Sequence, residues 1–279
     1  MIVLLLAVFV LGLYFRFPIA FSLGLSCLVY FIFSGTPMVV VPLKMYAGSD
    51  VFILLSIPGF IIAGNLMNQG GLTDKIIDFC NHLLGHVRGG LSFVNISASM
   101  LFAGISGTAI SDTASLGAVM IPAMKKEGYD SDFSCAITAA SSTVGPIIPP
   151  SLPMIIAATL SGLSVGKLFL AGAIPGLLLG LGLMLVAYFV AKKKNYPKHP
   201  KSTPLQIFKS FTNTFWALLM TVIILFGIVG GVFTPTEASV VAVLYALFIG
   251  LFVYKKLNLR NISVVVLDSM KTTASLMIL

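Results

Sequence analysis

Two short segments of this chain combine residue types that could bind an ion inside a membrane. Residues 104–112 read GISGTAISD, and residues 141–153 read SSTVGPIIPPSLP, with the interruption centred on 145–151. Glycine and proline interrupt α-helices, and an interrupted helix leaves backbone carbonyls without intrahelical partners. Such carbonyls, together with Ser and Thr hydroxyls, suit a cation such as Na⁺. A helix that begins after each break would also present N–H groups to an anion.

The same residues allow a purely structural interpretation. A proline kink and a glycine-rich contact are common where membrane helices pack together. Asp112 is open to two roles, as the N-cap of the following helix or as a functional acid inside the membrane. Asn95 is predicted to make an interhelical hydrogen bond. Because two breaks occur in neighbouring segments, the pattern favours a secondary-transport site, where discontinuous helices meet near the bilayer midplane.

The elements that must position these breaks belong to a membrane protein. Of the 279 residues, 58% are apolar and 9% are charged, whereas a soluble domain has about 25% charged residues. This composition excludes soluble enzymes and disordered scaffolds. The net charge is +8. Cytoplasmic loops of membrane proteins are rich in Lys and Arg, which accounts for this charge, so no nucleic-acid partner is expected. We therefore predict an all-α polytopic membrane protein that contacts the lipid bilayer.

Several apolar segments approach the length of about 20 residues that a spanning helix needs. Residues 1–15 are apolar but short, and they are open to interpretation as a half-length helix or as a dip joined to the next segment. At helical spacing, Leu72–Leu84 has one apolar face and one polar face, which predicts an amphipathic helix at the membrane interface. The predicted spans are residues 17–34, 51–67, 168–190, 215–233 and 238–254.

The segments around the two breaks are predicted to cross the membrane only in part. The apolar arms 91–103 and 113–124 would each be about 18–20 Å long, too short for a hydrocarbon core of about 30 Å. Residues 89–126 are therefore predicted to form a re-entrant helical hairpin, and residues 131–163 a broken helix. With a hairpin, the basic residues at 88, 125–126, 192–209 and 255–260 all face the cytoplasm.

Three other functions are alternatives to transport. Residues 104–107 read GISG, which matches the GxSG motif of intramembrane serine proteases, but such an enzyme needs a histidine base and none lies in a predicted span. No enzyme is therefore expected. A channel would need a filter motif that the sequence does not show. A non-transporting scaffold or assembly subunit is the main alternative, and it predicts that the breaks bind nothing.

Four segments resemble the large membrane subunit of TRAP transporters, the DctM-like family. They are residues 85–100 (GHVRGGLSFVNISASM), 101–124 (LFAGISGTAISDTASLGAVMIPAM), 138–156 (TAASSTVGPIIPPSLPMII) and 231–243 (GVFTPTEASVVAV). The resemblance implies an inverted-repeat, elevator-type secondary transporter that imports an organic acid, such as sialic acid or a C4-dicarboxylate, with Na⁺. It also implies a small membrane subunit, a periplasmic substrate-binding protein and a multi-pass location in the bacterial inner membrane.

The resemblance further implies which residues bind the ion and the substrate. The Na⁺ ligands would come from the hairpin and from the broken helix, mostly as backbone carbonyls. The substrate carboxylate would lie near the hairpin tip. The implied Na⁺ ligands are Ala103, Ser106, Gly145, Ile148 and Pro150, and the implied substrate-binding residues are Gly107, Thr108 and Asp112.

The resemblance also implies a division of the chain into functional segments. Residues 89–167 would form the first repeat of the moving transport domain. The apolar run 274–279 ends without a tail, which indicates a truncated chain. Because members of the family are longer than this chain, the resemblance implies a second hairpin and a second broken helix beyond Leu279. The other segments are scaffold helices at 1–71, an interfacial helix at 72–88, scaffold or arm helices at 168–260 with a basic loop at 192–209, and the start of the second repeat at 261–279.

Overall fold

The computed structural model describes residues 2–278, and all the regular elements among them are helices. The chain forms two compact units. One contains the residues up to Val51 together with the segment from Ser275, and the other contains Phe52–Ala274. The predicted boundaries of the functional segments stay predictions, and the final residue of the apolar run, Leu279, lies outside the described residues.

The first unit contains α1 (Ile2–Tyr14), α2 (Ile19–Ser34) and α3 (Val40–Ser49). The short first segment is a separate helix, because Arg16 adopts a left-handed φ of 61° and Pro18 precedes α2. Gly12 lets the two helices approach closely, since a Cβ there would lie 2.7 Å from the Ser22 hydroxyl oxygen. With 16 residues, α2 is shorter than the span predicted at 17–34.

The second unit contains the helices that carry the two breaks. It begins with a 3₁₀ turn at Phe52–Leu55, and α12 continues into a π-helical turn at Ile249–Val253. Among residues 2–278, four helical segments are long and apolar enough to cross a membrane: Phe52–Gln69, Val165–Lys194, Pro204–Val229 and Pro235–Val253. The helices are α4 (Ser56–Gln69), α5 (Leu72–Leu84), α6 (Gly90–Ser106), α7 (Ala109–Lys126), α8 (Ser131–Ser142), α9 (Leu152–Ser161), α10 (Val165–Lys194), α11 (Pro204–Val229), α12 (Pro235–Phe248) and α13 (Leu259–Ile278), which belongs to this unit up to Ala274.

Helix α6 lies at the centre of this unit. It contacts α4, α5, α7, α8, α10 and α11, and its side chains Val94, Ile96 and Phe102 are fully buried. Glycines on the neighbours permit this close packing: a Cβ on Gly180 of α10 would lie 2.3 Å from the Met100 sulfur of α6. The first arm of the hairpin is therefore held by protein on most sides.

The amphipathic helix is present with the predicted bounds, but protein covers its apolar face. Leu72 and Ile76 are 0% exposed and Cys80 is 1% exposed, because α5 packs against α6 and α11. Asp74 and Asp78 lie on the exposed side. Its location at the membrane interface stays a prediction.

The hairpin has longer arms and a smaller tip than its sequence indicates. Helices α6 and α7 have 17 and 18 residues, and the chain leaves helical geometry only at Gly107 and Thr108. The prediction of an unwound segment over 104–112 is therefore wrong. Helical geometry persists through Gly104, whose carbonyl accepts a hydrogen bond from the Thr221 hydroxyl of α11 at 2.9 Å.

The predicted basic loop packs against the base of the hairpin. Its Pro197 carbonyl accepts a hydrogen bond from the Gly89 amide at 2.9 Å, and the Tyr196 ring lies 4.3 Å from that of Tyr129. The Lys194 ammonium lies 3.0 Å from Asp130. Hydrogen bonds from Lys194 and then from Tyr196 hold the pKa of the Asp130 carboxyl below its ordinary value.

Candidate functional site

The tip of the hairpin meets the break in the broken helix. Gly107 ends α6 with a left-handed φ of 61°, and a Cβ on this residue would lie 2.8 Å from the Pro150 carbonyl oxygen. The Leu152 amide donates a hydrogen bond to the Gly107 carbonyl at 3.4 Å. Only glycine combines this backbone conformation with so close an approach, so Gly107 joins the two discontinuous elements directly.

Thr108 caps the second arm of the hairpin. Its backbone is extended, and its hydroxyl accepts a hydrogen bond from the Ser111 amide at 3.3 Å. This is the usual geometry of an N-cap. The interpretation of Asp112 as the cap is therefore wrong, because α7 begins at Ala109 and Asp112 lies one turn inside it.

Asp112 instead points into the protein, towards the second break. Its side chain is fully buried, and its Oδ1 accepts a hydrogen bond from the Ser106 hydroxyl. Its Oδ2 has no hydrogen-bond partner within the described part of the chain, and it lies 2.6 Å from the position of a Cβ on Gly145. A buried carboxylate oxygen without a partner is costly, so this site favours occupancy by a cation or a proton.

The break itself extends from Thr143 to Ser151 between α8 and α9. Ser151 caps α9, accepting a hydrogen bond from the Met154 amide at 3.3 Å. Within residues 2–278, no amide or side chain donates a hydrogen bond to the carbonyls of Gly145, Ile148 or Pro150. The break therefore offers three backbone oxygens as possible ligands for an ion.

The other implied ligands occupy less direct positions. Ala103 is buried in the last turn of α6, and its carbonyl accepts a hydrogen bond from the Gly107 amide at 3.0 Å. The Ile148 side chain packs on Gly176 of α10, where a Cβ would lie 2.6 Å from its Cγ1. The contacts therefore join Ser106, Asp112 and Gly145 in one group and Gly107 and Pro150 in another. They leave Ala103 with its carbonyl already engaged.

Additional polar contacts hold the hairpin against the broken helix. The Asn95 amide donates to the Thr138 hydroxyl at 2.6 Å, which confirms the interhelical hydrogen bond. The Ser99 and Ser141 hydroxyls lie 2.9 Å apart, and sequence reasoning did not single them out. The sequence feature that indicates this contact is a stripe of polar residues at helical spacing on each of the two helices. The stripes are Ser92, Asn95 and Ser99 on α6 and Ser134, Thr138 and Ser141 on α8.

The geometry does not supply the serine nucleophile and histidine base that the GISG motif would need for proteolysis. The Ser106 hydroxyl donates to the Asp112 carboxylate and, more weakly, to the Thr108 carbonyl at 3.3 Å. Among the residues that the structure describes, no histidine contacts this hydroxyl. A serine nucleophile requires such a base within hydrogen-bond reach.

Comparison with known proteins places the chain in a transporter family. Residues 6–279 match the family model described as "Tripartite ATP-independent periplasmic transporter, DctM component". The sialic acid TRAP transporter large permease protein SiaM of Vibrio cholerae is 44% identical, with 95% of this chain and 62% of that protein covered. The sialic acid TRAP transporter permease protein SiaT of Haemophilus influenzae is 44% identical, with 92% and 42% covered.

A relative with a different cargo in its name is similar to nearly the same degree. The C4-dicarboxylate TRAP transporter large permease protein DctM of Pseudomonas aeruginosa is 42% identical, with 92% of this chain and 60% of that protein covered. The chain thus spans between 42% and 62% of the length of these three relatives. Because the match extends over nearly the whole chain, the protein belongs to the DctM family of tripartite ATP-independent periplasmic transporters.

Proposed function

We propose that this chain is part of a large membrane subunit that imports an organic acid by Na⁺ symport. The names of the relatives support sialic acid or a C4-dicarboxylate as the cargo. The family supports a small membrane subunit and a periplasmic substrate-binding protein as partners. The four long apolar helices support a membrane location, which we propose to be the bacterial inner membrane.

The observation that carries this proposal is the meeting of the two breaks around a buried acid. Gly107 contacts Pro150, and the free oxygen of Asp112 lies against Gly145. Unpaired carbonyls and one carboxylate oxygen form a ligand set of the kind that hard cations prefer. Secondary transporters place their ion and substrate sites at such discontinuous helices.

In the proposed mechanism, the ion prepares the site for the anionic substrate. Na⁺ is bound by the carbonyls of the break and by the Ser106 hydroxyl oxygen of the hairpin. The Ala103 carbonyl contributes through the lone pair that the Gly107 amide does not use. It neutralises the carboxylate of Asp112, which otherwise repels a substrate carboxylate. The substrate then binds at Gly107 and Thr108, where the N-terminus of α7 carries a partial positive charge. Ion binding and substrate binding are therefore coupled through one charge.

The proposed movement is that of an elevator. Residues 89–167 carry the loaded site across the membrane while the other membrane helices remain as a scaffold. This movement requires the contacts of the hairpin with α4 and α11 to break and reform. Two of them are the Thr221–Gly104 hydrogen bond and the approach of Gly64 to the Ile105 carbonyl oxygen, where a Cβ would lie 3.1 Å away.

Uptake into proteoliposomes tests the function. Vesicles would hold the full-length protein with its small subunit and binding protein, under an inward gradient of Na⁺ or a matched gradient of K⁺. We expect uptake of labelled sialic acid or C4-dicarboxylate with Na⁺ alone. Uptake that is equal in the two gradients would contradict Na⁺ coupling, and no uptake of any organic acid would favour a non-transporting scaffold subunit.

A matched pair of glycine substitutions tests the site in the same assay. Gly145→Ala places a methyl group 2.6 Å from the Asp112 carboxylate oxygen, whereas Gly182→Ala places one in open space on α10. We expect Gly145→Ala to abolish most of the uptake and Gly182→Ala to retain it. Equal activity of the two variants would contradict the proposed site.

A further inference from the structure

A second crevice lies away from the hairpin tip, where α5 meets α11 and the chain after α12. It has a volume of about 270 Å³ and is open on one side, and it is lined in part by Lys75, Trp216, Tyr254 and Lys256. Thr212 and Asn213 of α11 add polar groups to the same wall. The crevice therefore combines two ammonium groups, hydrogen-bonding side chains and two amphipathic aromatic rings.

Positive charge dominates this crevice. Lys75 makes no ion pair with any residue that the structure describes, and its backbone is fixed by a 3.0 Å hydrogen bond from the Thr214 hydroxyl to its carbonyl. The Lys256 ammonium lies 3.2 Å from Asp74. Lys209 is exposed one turn before Asn213 on the same face of α11. Two lysines thus line the crevice, and of the two acids on α5, Asp74 pairs with Lys256 and Asp78 accepts a hydrogen bond from the Ser210 hydroxyl.

The walls of the crevice are joined by hydrogen bonds and carry the residue types that are common at a membrane boundary. The Tyr254 hydroxyl donates to the Asn213 carbonyl at 2.9 Å, and the Tyr245 hydroxyl donates to the Trp216 carbonyl at 2.6 Å. These bonds join α11 to α12 and to the segment after it. Both helices belong to the apolar set that is long enough to span a membrane. Trp and Tyr concentrate at the level of lipid headgroups, and Lys concentrates at the cytoplasmic ends of spans.

We propose that this crevice binds the headgroup of an anionic phospholipid from the cytoplasmic leaflet. Lys75 and Lys256 contact the phosphate, and Thr212 and Asn213 face the polar remainder of the headgroup. Basic pockets between membrane helices on the cytoplasmic side recognise anionic headgroups in this way. Asp74 competes with the lipid phosphate for Lys256. Occupancy of the crevice by lipid therefore depends on which of these two anions Lys256 binds more strongly.

Lipid binding to the purified full-length protein tests this proposal. The protein would be delipidated in detergent and titrated with phosphatidylglycerol or with phosphatidylcholine, and bound lipid would be counted by native mass spectrometry. We expect tighter binding of phosphatidylglycerol. Lys75→Gln and Lys256→Gln should each weaken that binding about fivefold, while Lys75→Arg retains it. Lys198→Gln removes the same charge from an exposed loop residue and should change nothing.

Removal of the competing negative charge gives a sharper test. Asp74→Asn releases Lys256 from its ion pair and should strengthen phosphatidylglycerol binding, an effect that general destabilisation does not produce. Binding that is insensitive to Lys75, Lys256 and Asp74, or that falls equally in Lys198→Gln, would overturn the proposal. Displacement of phosphatidylglycerol by millimolar inorganic phosphate would also overturn it, because the site would then recognise free phosphate rather than a lipid.

Discussion

The chemistry of the candidate site depends on one buried carboxylate. Asp112 is held at one oxygen by the Ser106 hydroxyl, and its other oxygen faces Gly145 without a partner in the described chain. The sequence identifies Asp112 as a notable residue because acids are rare in apolar segments. The sequence alone does not show that Thr108, rather than Asp112, caps α7, because this depends on where α6 ends and α7 begins.

Substitution of Ser106 tests how much its hydrogen bond to the Asp112 carboxylate contributes to the free energy of unfolding. Ser106→Ala leaves Oδ1 without a hydrogen bond, and we expect it to lower the free energy of unfolding by about 1.5–3 kcal/mol. Ser97→Ala is the matched control on the same helix, because the Ser97 hydroxyl is buried without a partner in the described residues. Thermal unfolding in detergent compares the two. An equal melting temperature for both variants would show that the Ser106 hydroxyl contributes nothing.

At the scale of elements, local signals predict helix ends well where the capping chemistry is local. The predicted bounds of Leu72–Leu84, which lies between Gly71 and Gly85, agree with the structure. Thr234 with Glu237 forms a capping box at the start of α12. The hairpin tip was predicted too large because Gly104, Ser106 and Ser111 resemble loop residues. Packing against α11 keeps α6 helical through Gly104, and such a contact across the fold leaves no local signal.

A pair of glycine substitutions tests the contact between tip and break. Gly107 and Gly162 both end a helix in the left-handed region, with φ values of 61° and 66°. Gly107→Ala also drives a methyl group against the Pro150 carbonyl, whereas Gly162→Ala meets nothing within 4 Å. We expect Gly162→Ala to cost only the conformational strain of about 1–2 kcal/mol, and Gly107→Ala to cost more and to reduce uptake.

Chemical denaturation and uptake would be measured on the same preparations. Gly107→Ala that unfolds and transports like Gly162→Ala would show that the tip does not need close contact with the break. Greater loss of stability and transport in Gly107→Ala would support the contact as part of the site.

At the scale of the molecule, the sequence predicts the helices better than their packing. Composition and the two breaks indicate an all-α membrane protein, and the helices on either side of each break are present. The re-entrant path of the hairpin stays a prediction. The contacts between elements depend on residues far apart in the chain, such as Thr138 with Asn95 and Thr221 with Gly104. A single sequence does not reveal such pairs, which is why the group around Asp112 required the structure.

A cross-link between the hairpin and α11 tests the proposed elevator movement. A Cβ on Gly104 would lie 2.7 Å from the Thr221 Cγ2, so cysteines at the two positions are close enough for a disulfide. We expect the oxidised Gly104→Cys, Thr221→Cys protein to lose uptake and to regain it on reduction. Each single-cysteine variant serves as a control. Full uptake with the cross-link quantitatively formed would contradict movement of the hairpin past α11.

The central claim is that the two breaks and Asp112 form one Na⁺ site, and equilibrium binding of radioactive Na⁺ to the purified full-length protein tests it most directly. We predict saturable binding that K⁺ does not displace. Asp112→Asn should weaken it at least about tenfold, since a contact to a charged group contributes about 1.5–3 kcal/mol. Asp132→Asn, at an exposed residue of α8, should bind like the wild type. Unchanged Na⁺ affinity in Asp112→Asn would contradict the account.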